Sequence, residues 1–413
     1  MTARDLDARR WTDEAVGGLR EQWRRHLPGG VPGTPSLVGS TVYAASFGGD
    51  VVAAELATGH ERWRRSFPLA HYADATTMVG SRNQGFFAGP AVAGDDVIVA
   101  WDRMLSIDTT TGATRWEAPP LRTAQSDDYF WGAPVIAAQM VFAGSGSGAE
   151  EAPTRGRVNA YDLRTGNKLW STATVPPSGN GGGVIGPVSV DLVRGELYAA
   201  TGSPYTTVSG SNPGTASLLV LDVSTGALLW EDQVHASDGS GLDLNSAPVL
   251  VGSRVFVTAK DGVYAWDRFA RIRLWHTQLT PAQAAPGVPA GPENGPEGGP
   301  IASDGERVYA LSNDNASASF IAAALDPATG RVIWQRSLPG LATAAPIVSA
   351  GVVYTASAAG LLHALRATDG AALGVAILRE PSSCSPAVAD GRLVVGTGAA
   401  PYLPGDSLIC LGA

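Results

Sequence analysis

The sequence predicts an all-β fold, a ring of eight four-stranded blades (an eight-bladed β-propeller), on three observations. A short unit recurs along the chain, a proline opens a strand in every repeat, and the last repeat lacks a strand that the N-terminal segment can supply. Repeats at roughly 40–60-residue spacing are the signature of stacked or radial architectures, in which each unit buries its faces against its neighbours.

The repeated unit is Asp-x-x-Thr-Gly-x-x-x-Trp. It is complete at Asp162–Trp170, Asp222–Trp230 and Asp326–Trp334. Thr58-Gly59 with Trp63, preceded by Glu55 in place of the aspartate, and Thr111-Gly112 with Trp116, preceded by Asp108, are two more copies. A degenerate copy keeps Trp275 but has Ala270-Arg271 for Thr-Gly, and another keeps Asp369-Gly370 but has Gly374 for the tryptophan. Asp-x-x-Thr-Gly reads as a tight turn in which glycine supplies a positive φ. The tryptophan closes the following strand, and its large ring is expected to pack between blades.

The second marker is the proline at Pro35, Pro90, Pro134, Pro187, Pro248, Pro300, Pro346 and Pro386. Each precedes a short run and then a β-rich segment such as Val42-Tyr43-Ala44-Ala45 or Val255-Phe256-Val257, so each repeat supplies four strands. The last repeat ends at Leu408-Ile409-Cys410-Leu411 without a tryptophan, whereas Leu19–Trp23 precedes the first proline. An N-terminal strand therefore closes the last blade, which removes two open sheet edges. The whole chain, 1–413, reads as a single domain, with residues 1–18 as an N-terminal extension.

Composition narrows the function. The net charge is −9 and no basic block occurs, which argues against nucleic acid and anionic membrane as partners. The 51 glycines and 28 prolines are dispersed, as turn residues and not as a disordered tract. Cys384 and Cys410 are the only cysteines, too few for a disulfide framework, and no Cys-x-x-Cys-His for covalent haem is present. The first residues lack the apolar core of a secretory signal and no run is long enough to span a membrane, so a cytoplasmic location is expected. His26, His60, His71, His235, His276 and His363 form no ligand-spaced set.

In a four-stranded blade the connections from second to third strand, and from fourth strand to the next blade, lie on one face. All the long connections are of this kind: 66–88, 117–131, 145–156, 171–185, 203–216, 235–246 and 277–298. They should gather into a funnel over the central channel, where a small molecule would bind.

The Asp-x-x-Thr-Gly-x-x-x-Trp repeat resembles that of the quinoprotein (PQQ-dependent) alcohol-dehydrogenase-like propellers, over essentially the whole chain. The same repeat serves calcium-dependent PQQ alcohol dehydrogenases, polyvinyl-alcohol-dehydrogenase-like proteins and scaffold propellers of the outer-membrane assembly type, so the site residues must discriminate. Gly146–Gly156 resembles the segment with a calcium-binding glutamate, which places Glu151 as a metal ligand and Arg155 beside the cofactor. Gly181–Pro187 resembles the glycine run that carries a tryptophan under the quinone, but here Ile185 or Gly186 stands in its place. Leu197–Pro204 resembles a strand ending in Thr-Gly-Asn, with Ser203 replacing the metal-binding asparagine. Ser240–Pro248 resembles the segment carrying the catalytic base and metal neighbour. Asp243 has the spacing of the polyvinyl-alcohol-dehydrogenase branch, with Asp238 the alternative. Ala259–Arg268 resembles the strand whose lysine contacts the quinone, and Lys260 is one of two lysines in the chain.

The resemblance thus implies PQQ and Ca²⁺, with no haem and no cysteine pair capping the cofactor, and an alcohol oxidoreductase with Asp243 and Lys260 catalytic. The alternative is a propeller without cofactor, acting as a biosynthetic small-molecule enzyme or as a scaffold that binds a protein partner. In that version Asp243, Lys260 and the aromatic group Tyr129-Phe130-Trp131 are the residues to test.

Overall fold

Proline starts each blade because it can occupy the first position of a strand without breaking a ladder. The computed structural model describes residues 17–67, 85–121, 128–147, 154–204, 212–235, 243–244, 246–280, 301–314, 317–342, 344–399 and 403–412. Short strands follow seven of the prolines directly or after one residue, at Ser36–Val38, Ala91–Ala93, Val135–Ala137, Ser189–Asp191, Val249–Val251, Ile347–Ser349 and Ala387–Ala389. Pro300 itself lies outside the described residues, just ahead of the strand Ala302–Ser303. Each short strand opens an antiparallel sheet in which consecutive strands are neighbours. The result is an eight-bladed β-propeller, as the repeat predicts.

Burial follows position in the blade. Second strands such as Thr41–Ala45 and Val352–Ala356 are buried at every residue, because both of their faces meet neighbouring blades. Outermost strands such as Glu61–Ser66 expose every residue except Trp63. The apolar core is accordingly divided into clusters lying between blades. In one of them Tyr309, Leu311 and Phe320 of the sixth blade meet Val353 and Leu365 of the seventh.

The repeated tryptophan and glycine are two halves of one contact between successive blades. Trp23, Trp63, Trp116, Trp170, Trp275 and Trp334 each donate the indole N–H to a carbonyl in the turn of the next blade, at 2.8–3.3 Å. Beneath each ring lies that turn's glycine, in order Gly59, Gly112, Gly166, Gly226, Gly330 and Gly370. A Cβ there would stand 2.4–2.9 Å from ring atoms. These glycines also have φ of 68–72°, so both space and backbone require the residue.

The two degenerate copies obey the same rule. Trp230 faces the turn in which Arg271 replaces glycine at φ 57°; no indole hydrogen bond is found for it among the described residues. Gly374 lies where a tryptophan would dock on the eighth blade. That blade's last two strands, Ser407–Gly412 and Arg20–His26, come from opposite ends of the chain, so no turn joins them to receive a ring.

Ring closure is antiparallel, running from Arg20 opposite Gly412 to His26 opposite Ser407. Arg24 reinforces it by donating to the Leu378 carbonyl at 2.9 Å and pairing with Glu380 at 3.3 Å. The Glu380 carboxylate also accepts from the Ser407 hydroxyl at 3.0 Å, the Asp406 N–H at 3.1 Å and the Thr397 hydroxyl. No helix among the described residues is long and apolar enough to cross a membrane.

Candidate functional site

Three segments distant in the chain come together. The strand Glu196–Ala200 runs into Thr201-Gly202-Ser203. The linker between the fourth and fifth blades delivers Asp243. The hairpin turn between Arg254–Ala259 and Gly262–Asp267 delivers Lys260.

Backbone contacts fix their arrangement. Leu244 N–H donates to the Thr201 carbonyl at 3.2 Å, and Leu244 forms an antiparallel bridge with Ala259. Asp243 is thereby held between the strand end on one side and the lysine turn on the other. Its Oδ1 accepts the Ser203 N–H, and its Oδ2 lies 3.3 Å from Lys260 Nζ. The two side chains are 12% and 13% exposed, an ion pair sunk in the wall and still reached by solvent.

Glycine lets the chain approach this carboxylate. A Cβ on Gly202 would stand 3.2 Å from Asp243 Oδ1, and Gly202 N–H donates to the Gly183 carbonyl at 2.8 Å. Gly182 N–H in turn donates to the Ser203 carbonyl at 3.2 Å. The glycine run 181–183 is therefore stitched to the segment that holds Asp243.

Sequence-predicted residues are distributed unevenly. Asp243, Lys260 and Ser203 meet, although Ser203 reaches the carboxylate through its backbone N–H. Arg155 bridges Gly181 in parallel and donates to the Val175 carbonyl at 3.3 Å, which ties the 154–156 segment to the glycine run. Ile185 is partly exposed, 38%, in the stretch whose carbonyl abuts Gly132. Tyr129 and Trp131 pack at 4.9 Å, and the Trp131 indole donates to the Ser147 carbonyl at 3.2 Å. Glu151 and Asp238 lie outside the described residues.

One cluster escapes sequence reading altogether. Asp261, next to Lys260, turns its carboxylate toward Tyr264, His235 and His276. Oδ2 accepts the Tyr264 hydroxyl at 2.8 Å and lies 3.2 Å from His235 Nε2 and 3.5 Å from His276 Nε2. Tyr264 stacks on His276 at 4.1 Å. Burial acts to raise the Asp261 pKa, but the His235 and Tyr264 hydrogen bonds and the two imidazoles outweigh it, leaving the carboxyl below its ordinary range. The Tyr264 hydroxyl is pushed up by burial and by the carboxylate it serves. The histidines stand forty-one positions apart, and only the pairing of Tyr264 opposite His276 unites them. Among the described residues no three His, Cys, Asp or Glu side chains form a group able to hold a metal ion.

Known proteins place this architecture. The chain is 26% identical over 381 residues to polyvinylalcohol dehydrogenase of Sphingopyxis sp. strain 113P3, covering 76% of this chain and 54% of the relative. It is 24% identical over 368 residues to outer membrane protein assembly factor BamB of Bordetella pertussis, covering 86% and 79%. The solved quinohemoprotein alcohol dehydrogenase ADHIIG from Pseudomonas putida HK5 superposes with a TM-score of 0.81 at 18% identity, over 98% of this chain and 77% of that one. The chain spans about half the length of the polyvinylalcohol dehydrogenases it matches. The family model described as outer membrane protein assembly factor BamB, PQQ_2, matches residues 76–315 and 318–408. This chain belongs to that PQQ_2 family, as a propeller related to both the quinoprotein alcohol dehydrogenases and BamB.

Proposed function

We propose that the funnel binds PQQ and that the chain oxidises an alcohol there, with Asp243 taking the substrate hydroxyl proton and Lys260 binding the cofactor. One observation carries this reading: the Lys260–Asp243 pair, 3.3 Å apart and nearly enclosed, at the positions where the resemblance expects the cofactor lysine and the base. Its donor set fits the group. PQQ is a flat polyanionic quinone, and the wall offers an ammonium and a bare glycine run, 181–183, stitched to the Asp243 segment. PQQ, when bound, supplies the electron acceptor for the two electrons leaving the alcohol carbon.

The chain's own residues do the rest. Ser203 N–H holds Asp243 Oδ1, which leaves Oδ2 to face Lys260 and an incoming hydroxyl. A carboxylate within hydrogen-bond reach of that hydroxyl can act as general base. Ca²⁺ would draw on hard oxygen ligands, and Glu151, Ser203 and Asp243 are those assigned to it.

A cofactor-free propeller, either an enzyme on a small molecule or a scaffold for a protein partner, is the second reading. It is favoured by Ile185 where the resemblance expects a stacking tryptophan, and by the relation to BamB. Dye-linked oxidation separates the two. Protein loaded with PQQ and Ca²⁺ is offered primary alcohols, secondary alcohols and polyvinyl alcohol oligomers. The proposal expects dye reduction that falls at least 100-fold in Asp243→Asn; no reduction with any alcohol favours the second reading.

A further inference from the structure

We propose that Asp261 is a positioning residue: with Lys260 it makes the hairpin turn a two-point clamp on the linker that carries Asp243. Consecutive residues of this turn grip both ends of one segment. Lys260 Nζ meets Asp243 at 3.3 Å, and the Asp261 carboxylate meets His235, eight residues earlier in the same linker, at 3.2 Å.

The turn that does this is itself immobilised. Gly262 has φ 141°, and a Cβ there would stand 2.2 Å from the Thr277 carbonyl, so the turn is pressed against its blade's outer strand. Tyr264 anchors the Asp261 carboxylate from the same blade at 2.8 Å, and its hydroxyl also contacts His235 Nε2 at 3.3 Å. Trp266 and Arg273, both of this blade, hold Asp232 at 2.6 and 2.8 Å, which fixes the strand leading into His235. Asp261 is 11% exposed at its side chain, and Oδ1 is buried with no partner among the described residues. A carboxylate desolvated to this degree is held by the groups that remain, and losing one of them has a large effect.

The two histidines have different roles in this clamp. His235 belongs to the linker between blades, whereas His276 lies on the outer strand of the blade that carries Asp261 itself. Both touch the carboxylate, but only His235 belongs to the same linker as Asp243.

The effect on cofactor binding rests on the proposed function; the effect on the linker does not. Hydrogen–deuterium exchange at the Ser203 and Leu244 amides reports the linker directly. Ser203 N–H is protected by Asp243, and Leu244 N–H by the Thr201 carbonyl. These amides are measured by mass spectrometry in the wild type, Asp261→Asn, Asp261→Ala, His235→Leu and His276→Phe, alongside PQQ affinity. The clamp predicts that His235→Leu and Asp261→Ala each raise exchange at Ser203 and Leu244 at least tenfold. It predicts that Asp261→Asn, which keeps the shape and the Tyr264 bond, restores part of the protection. His276→Phe, which keeps the stack on Tyr264, should stay within twofold of the wild type. Equal effects of His235→Leu and His276→Phe, or none from His235→Leu and Asp261→Ala, overturn the proposal. PQQ affinity should fall in the variants that raise exchange. If the wild type binds no PQQ while the exchange pattern holds, the clamp stands and the cofactor reading falls.

Discussion

Removing the Trp23 side chain tests how the ring is closed. Trp23 sits on the N-terminal strand, 8% exposed, packed with Leu27, Val42, Val52, Leu56 and Cys410. Its indole donates to the Leu56 carbonyl at 2.9 Å, and its ring covers Gly59. Trp23→Ala deletes the buried ring and opens a cavity at the seam between the eighth and first blades, a change that costs about 3–5 kcal/mol. That range includes about 1 kcal/mol for the hydrogen bond, whose loss leaves a buried carbonyl without its donor. Trp230→Ala is the internal control, because that indole is only partly buried and faces Arg271 in place of glycine. Urea unfolding followed by tryptophan fluorescence, with a second probe to check for a single transition, gives both values. Trp23→Ala is expected to lose at least 2 kcal/mol more than Trp230→Ala. Equal losses, or less than about 1 kcal/mol for Trp23→Ala, would refute the argument that docking of the N-terminal strand closes the ring.

Further predictions follow from groups buried away from the funnel. Burial holds the His363 imidazole below its ordinary pKa, so the unfolded chain takes up this proton at a higher pH than the folded one. The stability it contributes is complete above about pH 6.5 and is lost as pH falls toward the folded value. Thermal unfolding between pH 5 and 7 should therefore lose part of its upward slope in His363→Met, and an unchanged slope would count against it. His363 Nε2, Thr355 Oγ1 and Ser357 Oγ are buried without partners among the described residues, at the seam facing the sixth blade; a crystal structure should show ordered water there. Burial pushes the thiols of Cys384 and Cys410 up to about 12, so neither should react with a thiol reagent at pH 8 until the chain unfolds. Rapid reaction of either in the native protein contradicts the packing described.

The fold was legible because its determinants are local or periodic. Each proline marks a strand start. The Thr-Gly-x-x-x-Trp spacing encodes two faces of one contact, although the tryptophan meets the glycine of the following blade and not its own. The missing tryptophan at Gly374 is explained only once the termini are seen to share the last blade. The candidate site was legible in part: Asp243 and Lys260, both singled out in the sequence, lie 3.3 Å apart. That Ser203 serves through its backbone N–H could not be read from its side chain. The His235–Asp261–His276 cluster was invisible because its members come from a linker, a hairpin turn and an outer strand. Their meeting depends on register and blade packing, which no spacing in the chain records.

The central claim is that the Asp243–Lys260 wall is a PQQ site, and calorimetric titration of the purified protein with PQQ, with and without Ca²⁺, tests it most directly. The account predicts saturable binding that Ca²⁺ tightens and that Asp243→Ala and Lys260→Ala each weaken at least tenfold. Absence of binding at high micromolar PQQ in a fully folded wild type, or binding indifferent to both substitutions, would contradict it.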